Sequence, residues 1–382
     1  MRIERRSFLK LGAAAAIPSA PVSGFAQTPS REPGESTHVK FTSDGLALTP
    51  REHAQLLGRL VEERNVAPDS YAIGGVVEEL EQTFATLLKK ERAIYMPTGT
   101  LANHLAVRAL APDGRVAVQE ISHLYQDTGD CVQTLSNRPM MPLAPGKATF
   151  SPDDLETLLS GTQTGRVKTS VSIVSIETPV RRANGEIFDA AAMDAVIRVA
   201  RRNGTRLHLD GARLFIQAAY TGKDVSLYAE PFDTVYVSLY KYFNAPAGAI
   251  LAGPRRLLDD MYHTRRMFGG SLAEAWPSAL IALHYANGFN ERFTKAVAAA
   301  KPLIAALESN PRFKVTHIPN GTNIFRLEVP GTPPDAFRAA LMKRGVELLM
   351  PNATGRFTLV VNETLLRRRP ADLLDAFVAA LS

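Results

Sequence analysis

Apolar, β-branched runs at residues 93–96, 116–118, 171–176, 206–210, 234–239 and 248–252 alternate with helix-length segments. The runs are too short for buried helices. Their spacing predicts the strands of a mostly parallel sheet whose connections are helices, an α/β architecture. The segments between them carry helix signals. Thr49-Pro50 opens one helix, and residues 78–90 place Leu80, Phe84, Leu87 and Leu88 at helical period. Asn203-Gly204 closes another over residues 190–202. In such a sheet the functional groups gather at the carboxyl ends of the strands, so the residues just after each run deserve the closest reading. From about residue 290 the pattern changes to a long alanine-rich helix, a strand at 322–329, a helix at 334–343, a strand near 357–361 and a final helix. That half reads as a smaller α+β domain.

The chain begins with an address. Arg5-Arg6-Ser7-Phe8-Leu9-Lys10 precedes an apolar, alanine-rich run at residues 11–16, and Gly24-Phe25-Ala26 offers small residues for cleavage. The paired arginines followed by Phe8 and Leu9 resemble a twin-arginine (Tat) export signal cut near Ala26. The expectation is a periplasmic protein whose transient partner is the Tat translocon. The domains expected are a signal at 1–26, a polar linker at 27–37, an N-terminal arm and helix at 38–67, a large domain at 68–289 and a small C-terminal domain at 290–382. The single cysteine, Cys131, rules out an intramolecular disulfide and suits cargo folded before export.

Charge removes other classes. Half of the formal net charge of +6 lies in residues 1–26, where Arg2, Arg5, Arg6 and Lys10 face only Glu4. What remains is no nucleic-acid footprint. Arg367-Arg368-Arg369 reads as a solvated helix start. No window after the signal reaches the length of a membrane span, so no stable membrane anchor is expected. No His-x-x-x-His spacing supports a metal site.

Four features fall in order at strand ends or helix starts. Thr98-Gly99-Thr100 brings backbone N–H groups and two hydroxyls to a helix N-terminus, which suits a phosphate; the plainer reading is an ordinary N-cap. His123 follows the strand at 116 and could stack on a planar ring; the plainer reading is a satisfied surface histidine. Asp210 ends a buried strand, where a carboxylate is costly unless it meets a cation such as a protonated pyridine. Lys241, flanked by Tyr240 and Tyr242 after an apolar strand, loses solvation and becomes a usable amine nucleophile. Phosphate cup, stacking ring, acid and amine together describe a pyridoxal 5'-phosphate (PLP) site.

On these motifs residues 40–365 resemble the threonine aldolase / aromatic amino acid β-eliminating lyase family of fold-type-I PLP-dependent, transferase-like enzymes. The resemblance is carried by Pro97-Thr-Gly-Thr-Leu-Ala-Asn103, His208-Leu-Asp-Gly-Ala-Arg-Leu-Phe215, residues 238–248 around Lys241, and Arg265-Arg-Met-Phe-Gly-Gly270. Thr42-Ser43-Asp44 and Thr322-Asn323 match more weakly. It implies that Lys241 forms the Schiff base, Asp210 pairs with the ring nitrogen and His123 stacks on the ring. Thr98, Gly99 and Thr100 would hold the phosphate, together with Arg213 in the cofactor set. Arg266 would reach the phosphate of a neighbouring subunit, so a homodimer or homotetramer is implied. Ser43 and Arg213 would contact the substrate carboxylate.

The chain departs from the family pattern mainly on the substrate side. Val180 stands where a histidine near the substrate hydroxyl is expected, Leu272-Ala273-Glu274 replaces Met-Arg-Gln, and residues 71–75 differ from Tyr-Gly-x-Asp-Pro. Thr358 replaces a carboxylate-clamping arginine. Arg356 lies two residues away on the same strand face and is the expected substitute. The implied activity is retro-aldol cleavage of a β-hydroxy amino acid to glycine and an aldehyde. The alternatives are β-elimination, racemisation or transamination of an amino acid, or a non-catalytic periplasmic binding protein with this fold.

Overall fold

The computed structural model describes residues 37–381. The signal at 1–26 and all but the last residue of the linker at 27–37 lie outside the described residues. In chain order the strands are β1 (Val39–Lys40), β2 (Arg92–Met96), β3 (Arg115–Gln119), β4 (Met140–Leu143), β5 (Val171–Glu177) and β6 (Arg206–Asp210). They continue with β7 (Thr234–Ser238), β8 (Ala249–Gly253), β9 (Lys314–His317), β10 (Ile324–Glu328), β11 (Val346–Glu347) and β12 (Phe357–Val360). Helices fill most of the connections, and Thr49 caps the first of them, Pro50–Glu63, through a reciprocal pair of bonds with Glu52.

A seven-stranded sheet in the order β2-β8-β7-β6-β5-β3-β4 forms the centre. From β4 to β7 its neighbours run parallel, whereas β8 is antiparallel to both β7 and β2. The α/β class with a mostly parallel sheet is therefore present. Side-chain alternation explains why the sheet is buried on both faces. Ala93, Tyr95, Val235, Val237, Ile250 and Ala252 enter one core, while Ile94, Met96, Tyr236, Ala249 and Leu251 enter another. Strand β4 was not expected. Met140 and Met141 read as loop or core packing, and Pro142 discourages a strand, yet β4 pairs only with β3 at the sheet edge, where a missing N–H is tolerated.

A third core gathers Val39, Phe41 and residues from 300 to 380 beside the antiparallel sheet β12-β10-β9. Strand β1 pairs parallel with β11, so the first described residues join this C-terminal layer. Leu56 and Leu60 of the helix that follows belong instead to the main core.

The fold fixes the turn after β7 with aromatic side chains. Tyr242 and Phe243 are fully buried directly after Lys241. Phe243 meets Phe84 at 5.3 Å, Phe215 at 5.1 Å and Phe289 at 5.1 Å, mostly edge to face. Truncating Phe243 to alanine leaves a void among three rings. The expected loss is about 3–5 kcal/mol of unfolding free energy, read by urea denaturation, with Phe243→Leu losing clearly less.

Candidate active site

The parallel run of β3, β5, β6 and β7 points four carboxyl ends the same way, and the residues after them meet. His123 opens a short helix after β3, and its N-cap Ser122 accepts from Tyr125 N. Glu177 is the last residue of β5 and Asp210 the last of β6, and the register places them opposite one another. Lys241 follows β7. A cavity of about 470 Å³ is lined by His123, Glu177, Arg213 and Lys241, with Asp127, Arg181 and Tyr240 around them. That volume lies within the range of small-molecule sites.

Asp210 is 2% exposed. Asn103 Nδ2 donates to its Oδ2 at 2.6 Å, and the Ala212 N–H donates to Oδ1 at 3.2 Å. His123 Nδ1 lies 3.8 Å from Oδ2 and, although buried, makes no hydrogen bond. Asn103 also bonds His208 Nε2 at 2.9 Å, and Thr234 meets His208 Nδ1 at 2.9 Å. Full burial pushes the His208 pKa down from the ordinary 6.5 to about 4, against a smaller upward pull from Asp210, so this imidazole is neutral. Glu177 is buried as well. It accepts the His123 N–H at 2.6 Å on one oxygen and the Arg181 N–H at 2.8 Å on the other. Burial first, and then the Asp210 charge, hold its carboxyl well above the usual carboxylate range. Two adjacent buried carboxylates beside an unpartnered ring nitrogen make a place that favours a flat cation.

Lys241 Nζ lies 2.9 Å from the Tyr240 hydroxyl and 3.4 Å from Ser238 Oγ, with the Tyr240 ring centroid at 4.3 Å. The segment before the first helix is clamped against this turn. Leu46 N–H donates to Asn244 Oδ1, and a Cβ on Gly45 would sit 2.3 Å from the Lys241 carbonyl oxygen. Arg213 pairs with Asp44 at 2.8 Å. Burial opposes its charge, but Asp44 and Glu177 outweigh that and hold the guanidinium above its ordinary value.

The other expected residues are distributed unevenly. Thr98 spends its hydroxyl on the helix cap, accepting from Leu101 N, as the plainer reading had it. Gly99 and Thr100 begin that helix, and a Cβ on Gly99 would fall 2.0 Å from the Tyr236 hydroxyl, so only glycine permits this approach of helix to sheet. Tyr236 lines the cavity; Thr98, Gly99 and Thr100 do not. Ser43 Oγ donates to the Gly45 carbonyl beside the Asp44–Arg213 pair. Arg266 is exposed, its guanidinium 5.0 Å above the Tyr71 ring.

The structure does not bring Arg356 to the cavity. Its Nε and Nη2 both reach Glu328 at 2.9 Å beside the C-terminal sheet. Arg356 lies just before β12, and the acid at the end of β10 is its nearest partner. Val180 is fully buried and does not line the cavity either; the next residue, Arg181, does. Arg181 meets Asp127 at 3.0 Å, and Arg182 grips the same carboxylate at 2.7 and 3.1 Å.

Sequence reading missed Arg181, Asp127, Tyr240 and Asn103, and left Glu177 without a role. Asn103 had a signal, since it lies one helical turn beyond Gly99. Arg265 was passed over in favour of Arg266. It is 1% exposed and donates to the carbonyls of Tyr95 at 2.7 Å and Tyr71 at 3.0 Å. That holds Tyr71 and Ala72 in left-handed conformations, with φ of 55° and 58°.

Residues 59–327 match the family model of beta-eliminating lyases. The low specificity L-threonine aldolase of Saccharomyces cerevisiae is 27% identical over 216 residues, which are 53% of this chain and 53% of that protein. The alanine racemase TOXG of Cochliobolus carbonum is 30% identical over 247 residues, 64% of this chain and 61% of that protein. The chain thus spans a little over half the length of these curated relatives. A solved structure of a candidate L-allo-threonine aldolase from Listeria monocytogenes superposes with a TM-score of 0.74 at 25% identity, covering 91% of this chain and 96% of that one.

The neutral buried His208 carries a pH consequence. Its folded pKa lies below its unfolded one, so its contribution is complete above about 6.5 and is lost as pH falls toward about 4. At one pKa unit per 1.36 kcal/mol, up to about 3 kcal/mol is at stake. Thermal melts between pH 7 and 4 are expected to show this loss in the wild type and a flatter acid limb in His208→Gln.

Proposed function

The chain belongs to the beta-eliminating lyase family, and from that premise we propose that it is a PLP-dependent lyase cleaving a β-hydroxy amino acid to glycine and an aldehyde. The carrying observation is that Lys241, His123 and Glu177 line one cavity, with the buried Asp210 opposite Glu177 and 3.8 Å from the His123 ring. PLP would fit there: its cationic ring would answer the buried Asp210, whose Oδ2 lies 3.8 Å from the otherwise unpartnered Nδ1 of His123. Bound there, PLP supplies a ring that accepts the electron pair of the bond broken at the substrate Cα.

The chain's own groups divide the remaining work. Lys241, on the cavity wall, would supply the amine that holds the cofactor. Asp210 would hold a proton on the ring nitrogen, and Asn103 fixes that carboxylate through its 2.6 Å bond. His123, its backbone tied to Glu177, would cover the ring. Gly99 and Thr100, behind Tyr236 and outside the cavity lining, would offer the N-terminus of their helix to the phosphate, and Thr98 orders that turn. Arg213 and Ser43 orient the substrate carboxylate, so that the Cα–Cβ bond stands in line for cleavage. Arg181 replaces Arg356 as the second arginine of the cavity. Arg266, exposed beside Tyr71, would reach the phosphate of a neighbouring subunit in a homodimer or homotetramer. The twin-arginine pattern of residues 5–10 supports export to the periplasm through the Tat translocon. Among the described residues no helix is long and apolar enough to cross a membrane.

A second reading, racemisation of an amino acid, draws on Val180, which leaves no histidine at that position, and on the likeness to an alanine racemase. Spectra and product assays separate the readings. The mature protein is expected to show a visible band that borohydride bleaches and that Lys241→Ala lacks. Threonine, allo-threonine or phenylserine should then release an aldehyde. A band without aldehyde, but with inversion of alanine, would favour the racemase. A protein that stays colourless with added PLP would leave a binding role.

A further inference from the structure

Cleavage of a β-hydroxy amino acid requires a group that takes the hydroxyl proton, and the cavity offers few. Asp127 is gripped by Arg182 and Arg181, whose hydrogen bonds hold its carboxyl below the usual range and make it a poor base. Glu177 has both oxygens occupied by backbone N–H groups. Tyr236 is 1% exposed, and its hydroxyl is packed against Gly99. His123 Nδ1 is turned toward Asp210. Val180 has no proton to move and lies outside the lining. Tyr240 differs from all of these. Its side chain lines the cavity and is 49% exposed, and its hydroxyl is 2.9 Å from the nitrogen of Lys241.

We propose that Tyr240 is the catalytic residue that removes the substrate hydroxyl proton, working as a dyad with Lys241. The inference rests on the lyase reading above. Once the substrate amine has displaced Lys241, the free amine takes the phenolic proton of Tyr240 across their hydrogen bond. The phenolate oxygen then accepts the proton of the substrate hydroxyl. The O–H bond breaks, the carbonyl of the aldehyde forms, and the Cα–Cβ pair passes to Cα, where PLP accepts it. Lys241, now an ammonium, returns its extra proton to Cα, which gives bound glycine. In net terms the hydroxyl proton ends on Tyr240, and one proton of the Lys241 ammonium ends on glycine.

The division of labour can be tested with Tyr240→Phe, which keeps the ring over Lys241. Holoenzyme is assayed for benzaldehyde release from phenylserine, and in D₂O for exchange of the glycine α-proton, which needs Lys241 alone. The variant is expected to keep the borohydride-sensitive band and to exchange glycine at close to the wild-type rate. Its kcat for cleavage should fall about 10²-fold or more, with KM little changed. Cleavage within about threefold of wild type would overturn the proposal. So would a parallel fall of cleavage and exchange, because Tyr240 would then only place Lys241. Loss of the band in the variant alone would overturn it too, by assigning the phenol to cofactor attachment. A wild type that carries the band and exchanges glycine but releases no aldehyde would defeat the lyase reading itself, and this proposal with it.

Discussion

Glu177 and Asp210 end neighbouring parallel strands, in register and out of water. Two carboxylates in that position repel one another and lack solvation, so the arrangement is held at a cost that surrounding donors must offset. The donors are specific. Asn103 and the Ala212 N–H serve Asp210, and the N–H groups of His123 and Arg181 serve Glu177. Through them the helix Gly99–Leu110, the turn after β3 and the turn after β5 are tied to one pair of acids. The residual demand for positive charge is what gives the cavity its chemical character.

The opposite wall is held by packing. Tyr242 and Phe243 anchor the Lys241 turn in the main core, and Gly45 lies so close to that turn that no side chain would fit. The Asp44–Arg213 pair closes the same seam from the other side. A reactive amine at the surface of a cavity is thus placed by aromatic rings that never touch it. This separates stability from chemistry: the rings set position, while Tyr240 and Ser238 are the side chains that meet the nitrogen.

The substrate side is organised differently from the cofactor side. Arg356 is neutralised by Glu328 at the far sheet, and Val180 is buried in a bridge to Glu186. Arg181 and Asp127 line the cavity, and the guanidinium groups of Arg181 and Arg182 share that one carboxylate. The excess positive charge there, beside Arg213, suits an anionic or carboxylate-bearing substrate.

Periodicity alone was enough to place every central strand but β4 and several of the long helices, because a strand buried on both faces must be short and apolar and its connections must be amphipathic. Asp210 and Lys241 were legible for the same reason: a charged residue at the end of an apolar run has no local explanation. Strand β4 was not legible, since its edge position tolerates a proline that the pattern forbids elsewhere. Nor could sequence distinguish Arg265 from Arg266, or send Arg356 to Glu328. Those outcomes depend on which partner lies nearest in three dimensions. Arg181, Asp127 and Tyr240 join the cavity because strands β3, β5 and β7, distant in sequence, end side by side. The chain alone determined which residues need a charged partner; the tertiary structure decided which partner each one meets, because hydrogen bonds and ion pairs act over a few ångströms and only the folded sheet sets those distances.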